Sequence, residues 1–91
     1  MTVTIAGIPF DNNLYDRDAD VLYLHVGDPA TAVDWDDTVE GDGVRYSSDG
    51  SIVGLTILNA KTRFDRDGKI VLTLPEQRIE ARDVGEVLAP A

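Results

Sequence analysis

The stretch YDRDADVLYLHV, Tyr15 to Val26, sets Asp16, Asp18 and Asp20 at alternate positions just ahead of an apolar run. Alternate carboxylates are the spacing of the first ligands of a calcium loop, which also needs glycine at its sixth position and a bidentate glutamate at its twelfth. Counted from Asp16, those positions hold Val21 and Gly27. The loop DRDGKI, counted from Asp65, places Lys69 and Ile70 where a ligand and the glycine belong. Short acidic side chains also bond to nearby backbone N–H groups and stabilise turns. Both clusters are therefore read as turns, with a non-specific divalent-ion site at Asp16, Asp18 and Asp20 as the alternative.

Other chemistry is sparse. His25 is the sole histidine, so a histidine metal cluster is excluded. It shares strand parity with Val21 and Tyr23 and reads as a packed or surface residue, with catalytic use as the alternative. Ser47, Ser48 and Ser51 flank Asp49-Gly50 without the strand–turn–helix context of a nucleophile elbow. No phosphate-cradling glycine motif occurs. No cofactor is implied. Trp35 stands among Asp34, Asp36 and Asp37. It reads first as a partly buried anchor on an edge strand. The alternative is a contact for a basic partner, since tryptophan and charge complementarity recur at protein interfaces.

These residues must be held by strands. Period-two alternation punctuated by Asp-Gly turns is the pattern of half-buried antiparallel strands. Val3 to Ile8 is a candidate first strand closed by Pro9, and FDNNLYDRDAD follows as a turn-rich connection. VLYLHV and the shorter TAVDWD come next, the last setting Val33 and Trp35 on one face. VRYSSDGSIVGLTIL is a hairpin about Asp49-Gly50, since glycine supplies the positive φ of the turn. It places Val53, Leu55 and Ile57 on one face. Gly54 inside that strand marks a bulge or a close backbone neighbour. A turn at Asp65 to Gly68 leads into KIVLTL. Arg78 to Ala81 reads as extended, and a short helix begins after Asp83, with Asp83 and Glu86 as a capping box and Val84, Val87 and Leu88 as its buried face.

The expected fold is mainly β (α+β), an antiparallel meander of five to six strands with a short C-terminal helix, in one domain over residues 1–91. One short helix cannot cover such a sheet. Either the sheet curls on itself or two copies pack face to face, so a homodimer is expected.

Charge narrows the partners. Seventeen acidic against 8 basic side chains give a net charge of −9. That field repels nucleic-acid phosphates and anionic membranes and speeds encounter with a basic protein. The chain holds 43% hydrophobic residues and no cysteine, which removes disulfides and thiolate sites. MTVTIAGIPF lacks the basic start and apolar run of a signal peptide, and nothing approaches the roughly 18 apolar residues of a membrane span. A soluble cytoplasmic protein is expected.

Two blocks, YDRDADVLYLHV and GVRYSSDGSIVGLTILNA, resemble domain-of-unknown-function family 2283. Tyr15, Asp16, Asp20, Leu22, Tyr23 and Leu24 match its first block. Gly43, Val44, Gly50, Val53, Gly54, Ile57, Leu58 and Ala60 match its second. The family-like core spans residues 14–62, with additional strands and a helix over 63–91. The chain departs from the pattern at Ser47, where aspartate is common, and at Thr56, where glutamate is common. The resemblance implies a small β-rich fold with no established activity. Members often look like companions of a toxin-like neighbour, which implies an antitoxin-like binding role.

Three functions follow in order: an interaction module for a basic partner, a self-assembling structural domain, and a small enzyme or divalent-ion binder using the Asp16–Asp20 cluster with Tyr23 and His25.

Overall fold

The computed structural model describes residues 2–89. The chain opens with a hairpin, β1 (Val3–Ile5) and β2 (Ile8–Phe10). The single strand expected over Val3 to Ile8 is broken because Ala6 and Gly7 both take positive φ, 53° and 79°. Two successive positive φ angles make the tight turn whose twist suits a hairpin.

A five-stranded antiparallel sheet follows. It is built from β3 (Asn12–Asp16), β4 (Val21–His25), β5 (Asp34–Asp37), β6 (Gly43–Tyr46) and β7 (Ile52–Leu58). Asn12–Asp16, inside the stretch read as a connection, is strand because β3 pairs along its whole length with β4. The antiparallel sheet expected from the alternation is present, but its order, β3-β4-β7-β6-β5, is not the expected meander. The chain crosses from β4 to the far edge, and β7 returns to pair with β4 at the centre. Gly50, at φ 86°, closes the β6–β7 hairpin. Arg45 faces Gly54 while Tyr46 faces Ile52, so Val53 is the extra residue of a bulge.

Period-two alternation sends Leu22 and Leu24 of β4, Leu55 and Ile57 of β7 and Val44 of β6 to one face, where all are buried. A second layer covers them: the first hairpin, the hairpin of β8 (Ile70–Thr73) with β9 (Arg78–Ala81), and the helices α1 (Ala60–Asp67) and α2 (Gly85–Leu88). Phe10, Ile5, Ile70, Leu72, Val84 and Leu88 join the sheet residues in a single apolar cluster. The cover that the sequence reading assigned to curling or to a second copy is thus supplied by the chain itself.

Two local expectations change. The turn expected at Asp65 to Gly68 is the end of α1, with Gly68 at φ 71° donating its N–H to the Phe64 carbonyl. The helix is supported from elsewhere in the chain, as described below. In α2 the expected capping box does not form: Val84 occupies the cap with no side-chain bond. Val84 and Leu88 nevertheless face the core, with Val87 packed against it.

A buried ion pair ties the layers together. The Asp42 side chain is 0% exposed and accepts from Arg63 Nη1 at 2.7 Å, Leu58 N–H at 3.0 Å and the Thr38 hydroxyl at 3.2 Å. Arg63 also donates to the carbonyls of Leu58 and Val71. One carboxylate thereby joins the β5–β6 loop, the end of β7, α1 and β8. Among the described residues no helix is long and apolar enough to cross a membrane.

Candidate functional site

The carboxylates that first suggested chemistry are engaged in holding the backbone. Asp16 Oδ1 accepts the N–H groups of Asp18 and Ala19, both at 3.1 Å, and so closes the β3–β4 turn. Asp20, at φ 55°, caps α1 across 41 residues: Oδ1 accepts Lys61 N–H at 2.7 Å, and Oδ2 accepts the Thr62 hydroxyl at 2.7 Å. Its main-chain carbonyl takes the Ala60 N–H. Tyr15 donates its hydroxyl to Asp20 Oδ1 at 2.7 Å.

Burial opposes ionisation of Asp20, but the bonds from Thr62, Tyr15 and Lys61 outweigh it and hold its pKa below the ordinary value. The same contacts work in reverse on Tyr15: burial, then the Asp20 bond, push its phenol up to about 12. Among the described residues no three histidine, cysteine or acidic side chains are grouped to hold a metal ion. The serines also serve a turn. Asp49 accepts from the Ser47 hydroxyl and the Ser51 N–H, which lowers its pKa to about 2.

The feature that sequence reasoning missed is the outer face of the five-stranded sheet. Register places Asn12, His25, Gly54, Arg45 and Trp35 in one row across all five strands. The neighbouring row reads Leu14, Tyr23, Thr56, Gly43 and Asp37. Leu58 and Val21 continue the face beyond it. Val21 and His25 are buried, but Leu14 is 65% exposed, Tyr23 44%, Leu58 43% and Trp35 77%. Trp35 is therefore a projecting side chain on edge strand β5 rather than the partly buried anchor expected there.

Strand alternation also divides the acids around it. Asp37 shares the outer side with Trp35, while Asp34 and Asp36 alternate to the other. All four residues remain exposed. Asp34 and Asp36 each accept the N–H of the following residue.

The glycine positions shape the face. Two hollows, of ≈ 380 Å³ and ≈ 490 Å³, lie on either side of Arg45 and share it with Thr56. The first is bounded by Leu14, Tyr23, His25 and Pro29, the second by Val33, Asp34 and Trp35. A Cβ on Gly54 would lie 3.1 Å from His25 Cδ2 and 3.2 Å from Arg45 Cβ, so these two side chains converge over the glycine. Gly54 thus stands beside the bulge at Val53, and its close neighbours are side chains rather than the backbone expected there. His25 is 9% exposed, and neither ring nitrogen has a hydrogen-bond partner. Its alternation with Leu24 was legible in the sequence, whereas its position against Arg45, 20 residues away, required the strand order.

Residues 14–61 match the family described as "Protein of unknown function (DUF2283)". No curated protein and no solved structure matches the chain. The matched span begins in β3 and ends in the first turn of α1, so it takes in nearly the whole sheet and the Tyr15–Asp20–Lys61 contact that closes it.

Proposed function

The chain belongs to the family of proteins of unknown function DUF2283, and from that premise we propose that it is a protein-interaction module docking a basic partner on the outer face of its sheet. The observation that carries this reading is the exposure of Leu14, Tyr23, Leu58 and Trp35 on one uncovered face. Contiguous apolar patches on soluble domains mark interaction surfaces, and tryptophan and tyrosine are the usual anchors. Leu14 and Trp35 stand on the two edge strands, with Tyr23, Thr56 and Arg45 on the strands between them. Asp34, Asp36 and Asp37 line one edge, and Asp16 and Asp18 lie at the turn beside the other. With a net charge of −9 behind them, these carboxylates steer a basic protein towards the face. An antitoxin-like role is the form of this reading in which the partner is a toxin.

The test compares the wild-type chain with Trp35→Ala and Leu14→Ser as baits in native lysate, at low and moderate salt. A basic protein should bind the wild type stoichiometrically, dissociate as salt rises and be lost from both variants. Hydrogen exchange of the purified pair should then protect β4 and β7. Equal capture by all three baits would remove the outer face from the interaction. Concentration-dependent dimerisation that Trp35→Ala abolishes would identify the occupant as a second copy and overturn the basic partner.

A further inference from the structure

The hollow over Gly54 combines three features that the apolar patch alone does not explain. The first is His25, nine-tenths buried, with both ring nitrogens shielded and unpartnered. An imidazole carries polar atoms at both nitrogens, and buried polar atoms are ordinarily hydrogen-bonded. The second is Arg45. Six of the eight basic side chains, Lys61, Arg63, Arg66, Lys69, Arg78 and Arg82, pair with carboxylates. Arg17 donates to the Ala89 carbonyl and sits over the Tyr15 ring. The Arg45 side chain makes no ion pair or hydrogen bond among the described residues, although the chain carries 17 acids. The third is the lining. No carboxylate borders this hollow, which offers the hydroxyls of Tyr23 and Thr56 beside the apolar surfaces of Leu14 and Pro29.

We propose that the hollow over Gly54 is a binding site for a carboxylate carried on a small apolar body. A guanidinium presents paired N–H donors in the geometry a carboxylate accepts, and charge-assisted bonds of this kind are the strong ones. Arg45 supplies that fork, with the Tyr23 and Thr56 hydroxyls as further donors, and the buried His25 ring forms part of the wall. Leu14, Pro29 and the Tyr23 ring take the apolar body. A volume of ≈ 380 Å³ lies in the range of small-molecule sites. Glycine at position 54 lets His25 and Arg45 approach closely, since a Cβ there would press on both. Free small acids and the carboxyl terminus of a polypeptide share this chemistry. The site stands independently of protein docking, since a free acid alone satisfies it.

The experiment is an NMR titration of the ¹⁵N-labelled chain with benzoate and with its neutral amide, benzamide. The ring nitrogens of the sole histidine and the amides of Arg45, Gly54 and Thr56 are the readout. Benzoate should move these signals saturably, and benzamide should bind about tenfold more weakly or not at all. Arg45→Gln should weaken benzoate about tenfold while the rest of the spectrum is unchanged. A tripeptide ending in phenylalanine, with its carboxyl free or amidated, separates the sources. Tighter binding of the free-acid peptide than of benzoate identifies a chain terminus, and binding of benzoate alone identifies a free acid; both support the site. The proposal is overturned by unmoved signals at about 10 mM benzoate, by unsaturable shifts spread over the surface, by equal binding of benzamide, or by unchanged affinity in Arg45→Gln.

Discussion

Replacing Arg63 by methionine tests whether the buried ion pair holds the two layers together. The substitution keeps an aliphatic stem but removes the donor 2.7 Å from Asp42, and with it the bonds to the carbonyls of Leu58 and Val71. The Asp42 side chain is 0% exposed, so its carboxylate would remain out of water with only the Leu58 N–H and the Thr38 hydroxyl as donors. Breaking one side of a buried pair costs about 3–5 kcal/mol, because the remaining charge is uncompensated. A chain of this length is stable by about 5–14 kcal/mol at roughly 0.05–0.15 kcal/mol per residue, so the loss is a large share of the total. Asp42→Asn should cost less, about 2 kcal/mol, because Arg63 is 14% exposed and can turn its guanidinium to solvent. The double variant should be more stable than the sum of the single losses by about 1 kcal/mol or more, the signature of direct coupling. Urea unfolding followed by far-ultraviolet circular dichroism measures all three. Trp35, being 77% exposed, reports the transition poorly by fluorescence. A loss below about 1 kcal/mol for Arg63→Met, or strict additivity in the cycle, would refute the reasoning.

The Tyr15 phenol, raised from 10.0 to about 12, carries a stability contribution that is complete below pH 10 and disappears as pH climbs from 10 towards 12. Urea midpoints across that window should therefore fall less steeply in Tyr15→Phe than in wild type, and parallel curves would show that the Asp20 bond contributes nothing. At neutral pH the same substitution should cost about 1 kcal/mol, discounted for a half-buried site. Gly54→Ala meets a strand-anchored Cβ at 3.2 Å and the His25 ring at 3.1 Å, so overpacking should outweigh the entropy gained and cost about 1 kcal/mol; a stabilised variant would mean that β6 yields freely. Trp35→Ala should change stability by no more than about 0.5 kcal/mol, as expected of an exposed edge residue, and a larger loss in calorimetry would place Trp35 in the fold rather than in recognition.

Much of the fold was legible because it depends on nearest neighbours. The alternation in VLYLHV and SIVGLTIL separates Leu22 and Leu24, and Leu55 and Ile57, from their neighbours onto one face, and all four are buried. Asp49-Gly50 supplies the hairpin turn, and Arg78–Ala81 is a strand at the expected bounds. Helix α1 was read as a turn although Gly68 stands where a helix C-terminus wants it and Lys61 pairs with Asp65 one turn on. Its N-terminal cap is Asp20, from the opposite end of the matched segment, so no local window contains the group that starts it.

The sequence by itself determined the mainly β class, the alternation of VLYLHV and SIVGLTIL, the Asp49-Gly50 hairpin and the acidic field, because each rests on residue type and short-range spacing. Tertiary structure alone decided which strands became neighbours, and that order sets His25, Gly54, Arg45 and Trp35 side by side. It also decided which face of the sheet the chain's own hairpins and helices cover. Strand alternation defines two faces, but only long-range packing selects the one left open to a partner.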